Sequence, residues 1–106
     1  MISIDQFRNV ELKIATIKSA EAHPNADKLM VLQIDLGTEQ RQILAGIRNH
    51  YTPEELVGRQ IVVVANLEPA KLRGLESQGM LLAASDEGRV VILGPDKTVQ
   101  PGAKVS

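Results

Sequence analysis

The chain has 106 residues, no cysteine and a formal net charge of −1 at pH 7, and no run of basic residues stands out. The cysteine count excludes disulfide and thiolate chemistry, and the charge excludes a basic tail for nucleic acid. No stretch approaches the roughly 20 apolar residues of a membrane span, and the N-terminus lacks the basic start and apolar core of a signal peptide. We therefore expect one cytoplasmic globular domain that makes no use of a membrane.

The first half of the chain predicts a short helix and three strands. Ser3 and Gln6 have the spacing of a capping box, which marks a helix start. Alternating apolar residues predict the strands, and a break in the first alternation at 15–17 predicts a bulge or bend. In chain order, we expect a helix over 2–8, a strand from Val10 to about Ile17, a loop over 21–28, and strands over about 29–36 and 41–47.

The second half predicts a one- or two-turn helix and three further strands. Thr52 and Glu55 have capping-box spacing, Pro53 suits the first helical position, and Gly58 ends the segment. The nearly continuous apolar run that follows predicts a central strand. In chain order, we expect a helix over 52–58, strands over about 60–67, 79–85 and 89–93, and an irregular tail that packs through Val99 and Val105.

Three strands, a short helix and two more strands have the layout of the OB-fold, a five-stranded Greek-key barrel. We therefore predict an all-β chain with this barrel over residues 9–85, an N-terminal helix over 1–8 and a C-terminal extension over 86–106. OB-folds bind oligonucleotides through the loops joining strands 1–2 and 4–5. Here these loops are 21–28 and 66–79.

The loop between the fourth and fifth strands is electrically neutral but chemically mixed. Lys71 and Arg73 have the chemistry of phosphate contacts, and the alternative is that they pair with Glu68 and Glu76. The loop's uncharged residues also have two readings each. Ser77 and Gln78 suit either a sugar, phosphate or base edge or a plain turn; Met80 suits a base or the core; and Asn66 suits a ligand or a backbone brace.

Catalysis and metal binding find no support in the sequence. His23 and His50 are far apart with no regular carboxylate spacing, so no metal or other cofactor is expected. Nucleophile, phosphate-loop and dinucleotide motifs are absent, so we do not expect an enzyme. Phe7 and Tyr51 are the only aromatic residues, which argues against an aromatic platform for stacking bases.

Four separated segments carry a resemblance to a known family: HPNADKL (23–29), AGIRNHYTPEELVGR (45–59), NLEPAKLRGLESQGMLLAA (66–84) and PDKTVQPGAKV (95–105). They resemble the tRNA-binding domain of aminoacyl-tRNA synthetases. The resemblance is strongest to the domain that bacterial methionyl-tRNA synthetase carries as its C-terminal domain or beta subunit, and to the free-standing dimeric relatives of that domain. The resemblance implies an OB-fold, a homodimer, recognition of tRNA shape without strong sequence preference, and a possible partnership with a methionyl-tRNA synthetase catalytic subunit. It implies tRNA contacts by Asn66, Lys71, Arg73, Ser77, Gln78 and Met80, with Lys28 as a weaker candidate.

The chain departs from the family at two loop positions. Glu68 and Ala70 stand where many members carry basic residues, so two positive charges are missing from the loop. Two alternatives therefore stay open: a module that dimerises a synthetase with marginal tRNA contact, and a chaperone-like protein-binding OB-fold dimer. For a dimer, the apolar residues of the N-terminal helix and of the segment after strand five are the expected interface.

Overall fold

The structure is a computed structural model that describes every residue from Met1 to Ser106. Strands dominate, and both helices have only four residues. In chain order the elements are α1 (Ile4–Phe7), β1 (Leu12–Ala22), β2 (Met30–Asp35), β3 (Gln40–Ala45), α2 (Pro53–Leu56), β4 (Gln60–Val64), β5 (Ala70–Leu72), β6 (Leu75–Ser77), β7 (Met80–Leu81), β8 (Ala83–Asp86), β9 (Arg89–Ile92) and β10 (Lys104–Val105). No helix of the chain reaches the length and apolar character needed to cross a membrane.

The strands form an antiparallel barrel around the long β1. The hydrogen-bonded order is β3-β2-β1-β4-β7, and β10 adds to the start of β1. The register of β1 against β2 shifts between Ile17 and Ser19, one residue beyond the predicted bulge. Such a bulge bends a strand, which lets β1 pair with several neighbours around the barrel. The predicted OB-fold, with its short helix between the third and fourth strands, is confirmed.

One apolar cluster fills the barrel. Its members come from all five barrel strands, and Ile17, Leu32, Ile43 and Ile61 are each fully buried. Leu56 of α2 is also fully buried in this cluster, so the short helix is held by one apolar anchor. Interior side chains that fill a small barrel in this way leave no internal channel, so any ligand must bind on the outer surface.

The two predicted helix starts behave differently. Ser3 caps α1 by accepting a hydrogen bond from the Gln6 N–H, and the Gln6 side chain accepts one from the Ser3 N–H. Thr52 precedes α2 but makes no side-chain capping bond, so the capping box predicted with Glu55 is wrong. Leu56 burial and Pro53 at the start suffice to hold this single turn.

The segment after β4 is more structured than predicted. The loop over 66–79 contains the hairpin β5–β6, and the single strand expected over 79–85 is divided into β7 and β8. The division falls at Leu82, whose N–H still donates to the Val62 carbonyl of β4. Beyond Leu82, β8 pairs with β9 as a separate hairpin. The tail expected to be irregular ends in β10, which pairs with Leu12 and Lys13 of β1.

Candidate nucleic-acid interface

The β5–β6 hairpin turns at Arg73 and Gly74, which both have positive φ values of 52° and 91°. Two consecutive residues of positive φ are the mark of the tight hairpin turn that matches strand twist. The turn places Arg73 at the tip, and Lys71 lies one residue before Leu72 in the strand leading to it. Both side chains are exposed, so the hairpin presents its two cations to solvent.

His23 ties this hairpin to the loop between β1 and β2. Its side chain is only 2% exposed. Nδ1 lies 2.9 Å from the Asn25 backbone nitrogen and accepts its N–H, so the ring proton is on Nε2, which donates to the Leu72 carbonyl 3.1 Å away. A neutral imidazole with this tautomer satisfies both ring nitrogens. His23 therefore fixes the position of the hairpin as well as the shape of its own loop.

The tie brings the three predicted cations to one place. Lys28, Lys71 and Arg73 line a surface depression of about 590 Å³, which we call the cationic depression, with Ala26, Asp27, Leu29 and Leu72. The chain has three ion pairs, Arg8 with Asp5, Arg41 with Glu39 and Arg89 with Asp86, and none involves these cations. The pairing with Glu68 and Glu76 considered from the sequence does not form, so all three charges are free to meet an anion.

Arg48 is a further cation that the sequence reasoning did not assign. It is exposed, and its guanidinium donates to the Ala26 carbonyl at 3.3 Å, on the wall of the same depression. Its backbone N–H also bonds the Lys28 carbonyl. Arg48 lies in segment 45–59, which carries part of the family resemblance. The sequence assigned its side chain no role, because only folding brings Arg48 beside loop 21–28.

Asn66 and Ser77 are both occupied by hydrogen bonds within the chain. Asn66 Oδ1 accepts the Glu11 N–H at 2.8 Å, and its Nδ2 donates to the Asn9 carbonyl. Ser77 is 5% exposed; its hydroxyl accepts the Leu44 N–H and donates to the Gly79 carbonyl, each at 2.9 Å. Asn66 thus braces the N-terminal segment, and Ser77 fixes the exit of the hairpin. The tRNA contacts predicted for both stay predictions.

Gln78 is partly occupied by hydrogen bonds within the chain and partly free for a ligand. Its backbone N–H donates to the Gln42 carbonyl at 2.8 Å, and its Oε1 accepts the Gln42 N–H at 3.2 Å. Gln42 in turn donates from its side chain to the Glu76 carbonyl at 2.8 Å. These bonds attach β6 to the edge of β3. The Gln78 side-chain NH₂ group remains exposed and without a protein partner, so it is the part of this residue that can meet a ligand.

Arg41 holds both ends of the loop and was not singled out from the sequence. Its guanidinium donates to the Ala65 carbonyl, just before the loop, and to the Gln78 carbonyl, just after the hairpin. It also bonds Glu39, and this hydrogen bond and the positive charge hold the pKa of the Glu39 carboxyl below its ordinary value. Arg41 is therefore a structural clamp beneath the loop.

Met80 borders an apolar cavity instead of filling the core. It is 48% exposed and lines, with Leu67, Leu72, Glu68 and others, a cavity of about 350 Å³ beside the hairpin. Its predicted contact with a ligand is therefore sterically open. No group of three or more His, Asp or Glu side chains is arranged to hold a metal ion.

Comparisons with known proteins identify the family of the chain. The family model described as "Putative tRNA binding domain" matches residues 12–104. The methionine–tRNA ligase of Thermotoga maritima is 61% identical over 105 residues, which are 99% of this chain and 17% of that protein. This chain spans only 14–17% of the length of the first curated relatives it matches.

Solved structures match over nearly their whole length. A methionyl-tRNA synthetase-related protein from Pyrococcus horikoshii is 38% identical with a TM-score of 0.94, covering 100% of this chain and 98% of that chain. Chaperone CsaA from Bacillus anthracis is 34% identical with a TM-score of 0.91, covering 100% and 99%. The resemblance drawn from the four sequence segments is confirmed, and the chain belongs to the tRNA-binding domain family found in methionine–tRNA ligases.

Proposed function

We propose that the chain binds the outside of folded tRNA through phosphate contacts from the cationic depression. The observation that carries this proposal is the convergence of Lys28, Lys71 and Arg73, from two separate loops, on one depression with no ion pair among them. Arg fits a phosphate with a two-pronged fork, and Lys meets it as a point charge. The overall net charge of −1 does not oppose this, because the positive charge is gathered locally.

Recognition is of shape and backbone, without strong sequence preference. Contacts to phosphates position a protein on nucleic acid but carry no sequence information. The chain has no aromatic platform beside the depression, since Phe7 lies in α1 and the Tyr51 hydroxyl bonds the Ile92 N–H elsewhere on the barrel. Tight reading of a base sequence would need more polar side chains facing the ligand than Gln78 offers.

The chain serves a synthetase and does not itself catalyse. Its curated relatives are methionine–tRNA ligases of which it spans 14–17%, so a chain of this kind is an accessory domain or subunit of such an enzyme. Its place of action is the cytoplasm, and its task is to hold tRNA near an active site on another domain or subunit.

The working form is a homodimer. Apolar side chains are exposed on α1 and on or directly after the β8–β9 hairpin: Ile4 is 61%, Phe7 39%, Val91 41% and Leu93 43% exposed. Joining two copies buries such surface and presents two cationic depressions. Two weak patches that act together bind far more tightly than one, which offsets the small number of cations in each.

The test is a salt series of tRNA affinity by filter binding on the wild type and on the Lys71→Ala/Arg73→Ala variant. Three phosphate contacts per chain predict a log–log slope of about −2.7, or about −5.4 for a dimer using both sites. The double variant removes two of the three cations, so we expect at least about tenfold weaker binding near 0.1 M salt and a slope shallower by about 1.8 per chain.

The matched control is Lys18→Ala/Lys97→Ala, which removes the same charge from two exposed residues outside the depression. Its affinity should stay within about twofold of the wild type, since scattered surface charges contribute little at this ionic strength. A wild-type slope near zero, or an equal loss in both double variants, contradicts the phosphate-contact proposal.

A second function is protein binding of the chaperone type, favoured by the likeness to chaperone CsaA over the whole chain. An unfolded apolar peptide that binds the chain while tRNA does not would support it. The remaining alternative, a pure dimerisation module, predicts a dimer whose weak tRNA affinity is unaltered by Lys71→Ala/Arg73→Ala.

A further inference from the structure

Three of the chain's exposed apolar side chains line one cavity next to the cationic depression. Leu67 is 45%, Leu72 41% and Met80 48% exposed, and the cavity they line measures about 350 Å³. We call it the Leu67–Leu72–Met80 slot. Single exposed apolar residues are ordinary on a protein surface, but a group around a cavity indicates a binding site. The volume lies at the lower end of the roughly 300–1,000 Å³ typical of small-ligand sites.

The slot and the cationic depression share two lining residues. Leu29 and Leu72 line both, so an apolar surface and a cationic surface meet along this pair. His23 fixes the junction, because its Nε2 donates to the Leu72 carbonyl from the same loop that carries Leu29. A ligand that fills both places must therefore carry a weakly polar part joined by a short link to an anion.

A nucleotide has this chemistry. Its base has two apolar faces that aliphatic side chains and a polarisable thioether such as that of Met80 can contact. Its phosphate complements the unpaired charges of Lys71 and Arg73. The carboxylate of Glu68 lines the slot, where no cation offsets it, and repels a phosphate there. The depression also contains a carboxylate, that of Asp27, but its three cations outnumber it. The charges therefore set the orientation: base in the slot, phosphate in the depression.

We propose that the Leu67–Leu72–Met80 slot holds one unstacked base of a bound RNA, while the phosphate joined to that base lies against Lys28, Lys71 and Arg73. The inference rests on the proposed tRNA binding and adds a base contact to it. Bases in RNA loops can be splayed out of the stack, and proteins commonly recognise them by packing on their faces. Here aliphatic side chains and methionine take the place of aromatic rings.

Gly46 offers a way to fill the slot without removing a contact. It lines the slot, its φ lies outside the left-handed region, and a Cβ built there has nothing within 4 Å. Gly46→Leu should therefore fold normally and exclude the base. We expect its tRNA affinity to be about tenfold weaker, equivalent to about 1.4 kcal/mol, with the salt slope unchanged because the cations remain.

The control is Thr38→Leu, which introduces the same side chain in the exposed turn between β2 and β3. This turn lies at the far end of the hairpin from Gly46, which follows the Met30–Ala45 pair. It should bind tRNA like the wild type. A second measurement does not depend on any variant: methyl NMR of the wild type titrated with adenosine 5′-monophosphate or with inorganic phosphate. The nucleotide should shift the methyl signals of Leu67 and Met80, which line the slot but not the depression, and inorganic phosphate should leave these two in place.

The outcomes separate this inference from the function on which it rests. Wild-type tRNA binding that is equally strong in Gly46→Leu overturns the slot and leaves the phosphate contacts standing. Methyl shifts with an apolar peptide but not with the nucleotide also overturn it, in favour of a protein ligand. A wild type that does not bind tRNA removes both the proposed function and the base contact.

Discussion

Ser77 and Asn66 illustrate how a polar residue in a binding loop can serve the fold. The Ser77 hydroxyl bonds Leu44, 33 positions away in sequence, and Asn66 bonds Glu11, 55 positions away. Neither partner lies near its residue in the sequence, so the sequence left a plain turn open for Ser77 and a backbone brace open for Asn66 beside a ligand contact. Lys71 and Arg73 were proposed as contacts through the family resemblance, because their charges alone left pairing with nearby carboxylates as an alternative.

Ser77→Ala should destabilise the fold. The substitution leaves the buried Leu44 N–H and the Gly79 carbonyl without their hydroxyl partner, which costs about 1–3 kcal/mol. Urea denaturation of the variant measures this as a lower midpoint at constant slope. Ser85→Ala, on the exposed β8 strand, is the control and should change stability by less than about 0.5 kcal/mol.

The same variant also tests whether Ser77 touches tRNA. Under conditions where the variant is fully folded, an affinity equal to that of the wild type would show that the hydroxyl serves the fold alone. Unchanged stability together with a several-fold loss of affinity would show instead that the hydroxyl meets the RNA directly.

The elements differ in how much of them the sequence could predict. Alternating or continuous apolar runs located β1 to β4, because those strands bury a face in the core. The β5–β6 hairpin was missed because its residues are mostly exposed and show no such alternation. It is held by hydrogen bonds that Gln42 and Ser77 make to residues distant in sequence. The only local sign of a turn was Arg73-Gly74 between two short segments.

His23→Ala should loosen the β5–β6 hairpin while leaving the barrel intact. Losing the bond to the Leu72 carbonyl removes the tie between the two ligand loops, at a cost of about 0.5–1.5 kcal/mol. We expect faster amide hydrogen exchange over 70–77, unchanged exchange in β1 and β4, and roughly threefold to tenfold weaker tRNA binding.

His50→Ala is the matched control for that variant, since His50 is exposed and its side chain makes no hydrogen bond in the chain. Its hydrogen exchange and tRNA affinity should both equal those of the wild type. Accelerated exchange spread over the whole barrel in His23→Ala would mean that the histidine supports the core and not the hairpin.

At the scale of the whole molecule, the cationic depression and the unused apolar surface lie on different parts of the chain. The first is built by the two ligand loops, and the second by α1, the β8–β9 hairpin and the cavity between Phe7 and Val105. The sequence indicated both the cationic residues and the apolar residues. It could not predict the geometry of a dimer interface, because the pairing of two identical surfaces leaves no periodic pattern in the sequence.

Ile4→Asp/Phe7→Asp should convert the proposed dimer to a monomer. Two carboxylates on an apolar contact must lose their hydration when the interface closes, which disfavours association strongly. Sedimentation velocity at micromolar concentration should give a dimer for the wild type and a monomer for the variant. The tRNA salt slope of the variant should fall to about half, since one depression binds alone.

Val57→Asp places a carboxylate at another exposed apolar position, 53% exposed at the end of α2, and should remain dimeric. A wild type that sediments as a monomer at micromolar concentration would contradict the dimer, and the predicted slope for tRNA binding would then be the single-chain value.

The antiparallel pairing of β10 with the start of β1 has a consequence for how the chain can be joined to other proteins. Val105 lies opposite Leu12, and Ser106 shares a cavity wall with Ile4 and Phe7, so the two ends of the polypeptide are neighbours. The β1–β2 loop that carries Lys28 follows the far end of β1. A host enzyme can thus be fused in frame at either end without an altered path for the loops proposed to meet RNA. Alternatively, the ends can be ligated and the chain reopened at the Glu87-Gly88 turn.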